Sequence, residues 1–174
     1  MDTEKLKEKI SKIKLIVFDV DGTMTDGKLY YSANGEELKR FSVRDGLGTI
    51  LLNLSGFITA IVTSENSPIV TARAKKLKIE HVILGSRNKT EAIRQLSKEL
   101  NLSLEEIAFI GDDLNDLDVL QIVGFSACPN NAVSAVKDVV DFISSYNGGD
   151  GAIREIAEQI LILQNKSINL PKNW

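Results

Sequence analysis

The chain has 174 residues, 43% of them hydrophobic, with 21 basic against 24 acidic residues and an isoelectric point near 5.3. That length suits one domain burying roughly two thirds of its unfolded surface, and the mixed charge argues against nucleic-acid binding, which rests on clustered Lys and Arg. The single cysteine, Cys128, excludes an intrachain disulfide and suits a reducing compartment, and no apolar run approaches the ~20 residues of a membrane span. Met1-Asp2-Thr3-Glu4-Lys5 lacks the apolar core of a signal peptide. The expectation is a cytoplasmic protein acting on a small polar molecule, with no nucleic-acid or membrane partner.

A charged helix is predicted over about Thr3–Ile13, followed by a buried strand, Leu15–Val20, whose β-branched and aromatic run closes on Asp19-Val20-Asp21-Gly22-Thr23. Strand alternation puts Asp19 and Asp21 on one face, where their repulsion would raise one pKa unless a cation sits between them. A metal-assisted reaction is the natural use. Two short strand-like runs then flank Asn34-Gly35, the strongest short-range hairpin signal, so a β-hairpin insertion is expected over about 27–41. Helical spacing from Asp45 to Leu54 ends at Gly56. Phe57–Thr63 reads as a second buried strand, and Ser67-Pro68 as the cap and first-turn proline of the next helix.

Further strands are expected at His81–Leu84, Ile107–Ile110, Phe125–Cys128 and Val140–Ile143, alternating with helices at about Lys89–Leu100, Leu117–Val123 and Ala132–Lys137. The fourth buried strand runs into a second acidic cluster, Gly111-Asp112-Asp113-Leu114-Asn115-Asp116. This alternation predicts an α/β, Rossmann-like doubly wound fold, a mostly parallel sheet with its site at the carboxyl ends of the strands. The whole of 1–174 is read as one domain with a small inserted hairpin, no cap domain and an irregular tail over about 164–174, including Pro171 and Trp174. His81 and Cys128 are read as structural, and Gly46-x-Gly48 lacks the third glycine of a dinucleotide fingerprint.

Asp19 with Asp21, Thr63, Lys89, and Asp112 with Asp113 all fall at strand ends or helix starts on one edge of the predicted sheet. Taken singly, a strand-ending Thr and a helix-start Lys are weak signals. In this order and spacing the four features resemble the haloacid dehalogenase superfamily of phosphotransferases, over about Lys14 to Ala157. Two other acidic patterns fit less well. An EF-hand loop needs Asp or Asn and then Gly where Thr23 and Met24 stand, and a phospho-receiver needs an Asp after the third strand, where Gly85 stands. The resemblance implies Asp19 as the nucleophile forming an aspartyl phosphate and Asp21 as acid and then base. It implies Mg²⁺ held by Asp19, the backbone carbonyl of Asp21 and Asp112, with Asp113 and Asp116 supporting the metal or Lys89. Thr63 and Lys89 would meet the phosphoryl oxygens.

The absence of a cap resembles the small branch of that superfamily acting on phosphorylated 3-deoxy-2-keto sugar acids. Thr25-Asp26-Gly27 to Tyr30, Phe41-Ser42-Val43-Arg44-Asp45-Gly46, Ser67-Pro68 with Arg73, and Gly148-Gly149-Asp150-Gly151 to Arg154 extend the match. Relatives are tetramers whose hairpins associate and whose neighbouring subunit closes the site, so a homotetramer is expected. Substrate-binding candidates are Arg44, Glu65, Arg73, Lys76, Gly149 and Arg154, the glycine segment offering backbone N–H groups to an anion. Glu65 with Arg73 and Lys76 resembles the type that acts on nine-carbon, sialic-type acid 9-phosphates, which is the expectation taken. The alternative is 3-deoxy-D-manno-octulosonate 8-phosphate, and a non-enzymatic oligomerisation domain is the third reading.

Overall fold

A computed structural model describes residues 3–170. Six strands form a parallel sheet: β1 (Leu15–Phe18), β4 (Ile58–Val62), β5 (His81–Ile83), β6 (Ile107–Ile110), β7 (Phe125–Cys128) and β8 (Phe142–Ile143), in the order β5-β4-β1-β6-β7-β8. Every residue of β1 and β6 is buried, as strands covered on both faces must be. Ile16, Phe18, Ile61, Ala108 and Ile110 point to one face, into a core shared with α2 (Val43–Leu54), α3 (Pro68–Leu77) and α7 (Ala152–Leu163). Leu15, Val17, Ala60, Val62, Ile107 and Phe109 point to the other, against α4 (Lys89–Glu99), α5 (Leu117–Leu120) and α6 (Ser134–Lys137). α1 (Thr3–Ser11) buries Ile10 against the first of these cores. Burial pushes the Cys128 thiol up to about 11, so it behaves as a small hydrophobe.

The chain leaves β1 toward β4 on one side and returns at β6 on the other, so the strand order reverses between β1 and β6. Open α/β sheets bind ligands outside the carboxyl ends of the strands at such a switch point, and Asp19 and Asp112 lie just beyond these two ends. β2 (Thr25–Ser32) and β3 (Gly35–Phe41) form a separate antiparallel hairpin turning at Ala33-Asn34, one residue earlier than the Asn34-Gly35 reading. Gly35 follows at φ 109°, a conformation open mainly to glycine.

Element boundaries agree with the reading to within two residues except at the end of α5. β1 ends at Phe18, and Thr23, Met24 and Thr25 N–H groups all turn back on the Val20 carbonyl, so a turn rather than strand alternation places Asp19 and Asp21. The hairpin starts at Thr25, because Thr25 already pairs with Phe41. α5 stops at Leu120 and β8 begins only at Phe142. Pro171 and Trp174, read as an irregular end, lie outside the described residues. Among the described residues no helix is long and apolar enough to cross a membrane.

Candidate active site

Asp19, Asp21, Thr63, Ser64, Glu65, Asp113 and Asn115 line a small cleft of about 170 Å³ at the carboxyl end of the sheet. Lys89, at the start of α4 and 2% exposed, reaches it from below, its Nζ 2.6 Å from both Asp19 Oδ1 and Asp116 Oδ1. The other Asp116 oxygen accepts the backbone N–H groups of Asp112 and Asp113 at 3.0 and 3.3 Å. Asp116 is fully buried and both its oxygens are engaged, so it fixes Lys89 and the acidic loop.

One carboxylate oxygen each from Asp19, Asp112 and Asp116 lie within 4.8 Å of one another. Burial, then the charge of Asp116, pushes the Asp19 carboxyl up to about 8 against the pull of Lys89. Burial likewise pushes Asp112 up to about 7, with the Thr23 hydrogen bond opposing and Asp116 and Asp113 adding to the rise. On Lys89 burial works downward, but the charges of Asp19 and Asp116 prevail and its pKa is raised. A crowded set of hard oxygen donors that resists ionisation on its own fits a divalent cation, which would hold both carboxylates charged. Since Asp116 is already committed to Lys89 and two amides, the donors open to a cation are Asp19 and Asp112.

The Asp-Val-Asp-Gly-Thr run has further local reasons. Gly22 sits at φ 93°, and a Cβ there would lie 2.0 Å from Asp112 Oδ2. Only glycine lets the two acidic loops approach this closely. The Thr23 hydroxyl donates to Asp112 Oδ1 at 2.8 Å. Thr63 is buried, and its hydroxyl accepts the Glu65 N–H at 3.3 Å. Ser64 donates to the Ser86 carbonyl and accepts from Asn115 Nδ2, which joins the loop after β4 to the acidic loop. Asp113 caps the short 3₁₀ turn Leu114–Asp116, accepting the Leu114 N–H at 2.7 Å.

The hairpin also enters the site. Lys39 Nζ, its side chain screened from solvent, lies 2.5 Å from Asp21 Oδ1 and 2.7 Å from Glu36 Oε1. On Glu36 burial works upward, but hydrogen bonds from Lys39 and Ser67 hold its pKa below the ordinary value. Thr23, Lys39, Glu36, Ser64 and Asn115 are not among the site residues predicted from the sequence. Thr23 and the Asn-bearing acidic loop stood inside the motifs, whereas nothing in the spacing of Lys39 marked it.

Several predicted substrate-binding residues are placed elsewhere. Arg73 donates to the Ser42 carbonyl at 2.8 Å and stacks 5.2 Å over the Phe41 ring, so it ties α3 to the start of α2. Lys76 faces a different cavity, beside Leu54, Leu77 and Lys78. The Arg154 side chain pairs with Glu158, while its backbone N–H goes to Asp45. The N–H groups of 148–151 are all taken, by Asn131, Thr23, Asn147 and Asp45 in turn, so Gly149 and its neighbours hold the loop against the Gly22 turn instead of cradling an anion. Arg44 is exposed and does not line the cleft. Of the six, Glu65 alone does.

Residues 54–156 match the model of the haloacid dehalogenase-like hydrolase family. The chain belongs to that family. Among its relatives, the 3-deoxy-D-manno-octulosonate 8-phosphate phosphatase of Haemophilus influenzae is 40% identical over 162 residues, 93% of this chain and 90% of that protein. The enzyme of the same description from Escherichia coli K12 is 37% identical, covering 91% and 84%. The crystal structure of the Moraxella catarrhalis enzyme of that description, in complex with magnesium, phosphate and KDO, superposes with a TM-score of 0.91 at 41% identity, covering 94% of each chain. The cobalt-bound H. influenzae structure gives 0.89 at 41% identity, covering 91% of this chain and 93% of that one. These haloacid dehalogenase-like relatives carry the eight-carbon description, which supports the alternative, 3-deoxy-D-manno-octulosonate 8-phosphate, better than the nine-carbon expectation.

Proposed function

We propose that this protein is a Mg²⁺-dependent phosphatase of 3-deoxy-D-manno-octulosonate 8-phosphate, working as a single catalytic domain in the cytoplasm. The observation that carries the reading is the Asp19–Lys89–Asp116 arrangement at the sheet's switch point, beside Asp112 and Asp21, in a chain about 40% identical over nine tenths of its length to enzymes of that description. With Arg73 and Lys76 turned elsewhere, the nine-carbon alternative keeps only Glu65, exposed at the cleft wall.

Asp19 and Asp112, with the Asp21 carbonyl, would hold Mg²⁺, which supplies positive charge to the phosphoryl oxygens and keeps the carboxylates ionised. Lys89 holds Asp19 through Oδ1, leaving Oδ2, which accepts from no donor among the described residues, to attack phosphorus. As the Asp19–phosphorus bond forms, the bond to the sugar oxygen breaks and Asp21 gives that oxygen its proton. Asp21, now a carboxylate, takes a proton from water, whose oxygen displaces Asp19 and releases inorganic phosphate. Thr63 and the N–H groups of its loop, with Lys89, meet the charge on the transferred group.

The test is phosphate release from octulosonate 8-phosphate and N-acetylneuraminate 9-phosphate side by side, with and without Mg²⁺, and with Asp19→Asn as blank. The eight-carbon ester is expected to be favoured by roughly a hundredfold or more, about 2.7 kcal/mol of differential transition-state binding. The reverse preference would install the nine-carbon reading on Glu65. Turnover of neither ester by protein that binds Mg²⁺ would favour an assembly role.

A further inference from the structure

We propose that Lys39, carried on the inserted hairpin, is a positioning residue for Asp21: by holding Oδ1 it presents Oδ2 to the leaving oxygen of the substrate. The inference rests on the reading of Asp21 as proton donor given above. Asp21 Oδ2 is buried and has no hydrogen-bond partner among the described residues, although the carboxyl borders the cleft. Oδ1 faces the Lys39 ammonium at 2.5 Å. Lysine only donates, so Oδ1 is committed as an acceptor, and a proton handed to the leaving oxygen must pass through Oδ2. That proton passes to the sugar oxygen as its bond to phosphorus breaks, and Oδ2 later receives one from water.

Lys39 is shared between two carboxylates. Glu36 Oε1 takes the same ammonium at 2.7 Å, and Glu36 Oε2 accepts the Ser67 hydroxyl at 2.5 Å. Ser67 stands at the N-cap of α3, where its hydroxyl would ordinarily receive a backbone N–H. It makes no such bond, the side chain being given to Glu36. Asp21, Lys39, Glu36 and Ser67 thus form one chain of contacts from the turn after β1, through the hairpin, to the loop after β4. The Lys39 ammonium is thereby held between two carboxylates, and the position of Asp21 Oδ1 is fixed from the hairpin. Strand alternation explains the geometry: Leu38 and Arg40 point away, and Lys39 alone of the three points inward.

A residue that only braces the hairpin and one that aims a proton donor differ in their dependence on the leaving group. An alkoxide must be protonated as it departs, whereas p-nitrophenolate leaves unaided, and general acid catalysis contributes about 10²–10⁴-fold where it is needed. Lys39→Met is expected to lower kcat/KM for octulosonate 8-phosphate by roughly thirtyfold or more and for p-nitrophenyl phosphate by under about threefold. Asp21→Asn should show the same selectivity in kcat/KM, which reports only the phosphorylation of Asp19, while kcat falls on both esters because the same carboxylate serves the water step. The double variant should be no worse than Asp21→Asn alone, as for residues acting as one unit. If Lys39→Met does not fold, as thermal melting will show, Ser67→Ala releases Glu36 and should give a smaller loss with the same selectivity. Equal losses on both esters for the Lys39 or Ser67 variant, with Asp21→Asn selective, would overturn the inference alone. An unselective Asp21→Asn would overturn the reading of Asp21 and the inference with it.

Discussion

Asp116 shows how one side chain can serve catalysis without touching substrate. Its two oxygens hold Lys89 and the amides of Asp112 and Asp113, so three candidate groups take their positions from one buried carboxylate. Removing one member of a buried ion pair costs about 3–5 kcal/mol, because the partner charge is stranded. Lys89 keeps Asp19, so Asp116→Ala is expected at the lower end, about 3 kcal/mol, measured by urea unfolding, with phosphatase activity lost. Asp116→Asn keeps an acceptor for the two amides and should fall between it and the parent chain. An Asp116→Ala protein as stable and active as the parent would refute this assignment. The motif spacing identified the acidic loop and a lysine as candidates, but which carboxylate takes the lysine depends on a fully buried side chain meeting a helix 27 residues away. Spacing carries no such information.

Elements were legible where periodicity and capping agreed. The buried strands β1, β4, β6 and β7 are continuous apolar runs, and Ser67-Pro68 marks the start of α3. The short elements were less so: α5 and β8 hold four and two residues, too few for either period to show. The glycine segment was misread because glycines suit an anion cradle and a close backbone crossing equally well. Here they serve the crossing. A Cβ on Gly148 would stand 1.7 Å from the Gly22 carbonyl oxygen, and one on Gly149 would stand 2.5 Å from the Asp26 nitrogen. Both obstacles are backbone, so neither can rotate away, and overpacking of this kind costs typically 1–3 kcal/mol or more. Gly148→Ala is therefore expected to destabilise by about 3 kcal/mol. It should also reduce turnover, because the turn it displaces carries Asp21 and abuts Asp112. Thermal unfolding and a phosphate-release assay check both, and a neutral substitution would mean that the loop is free to move.

At the scale of the molecule, the cleft is too small for its proposed substrate. Sites for small molecules commonly run to about 300–1,000 Å³, and about 170 Å³ accommodates the phosphoryl group and the reacting carboxylates but leaves a sugar acid in solvent. No cap domain stands over it in the described residues. The hairpin presents an outward pair, Tyr30 opposite Leu38, at 50% and 61% exposure, with Tyr31 more exposed still. Exposed aromatic and aliphatic side chains grouped on one ribbon mark a contact surface. The patch fits the homotetramer that the family resemblance implies, and we propose that the chain assembles as one through its hairpins, with exposed Arg44 and Lys76 available to a neighbour's cleft. Light scattering should give about four times the 19.1 kDa protomer mass. Tyr30→Glu with Leu38→Glu should dissociate the assembly and depress turnover of the sugar-acid phosphate. Hydrolysis of p-nitrophenyl phosphate, which asks only for the cleft, should persist because Lys39 and Asp21 lie on the opposite side of the ribbon. A parent chain that is monomeric and fully active on the sugar-acid phosphate would show that one protomer's cleft suffices.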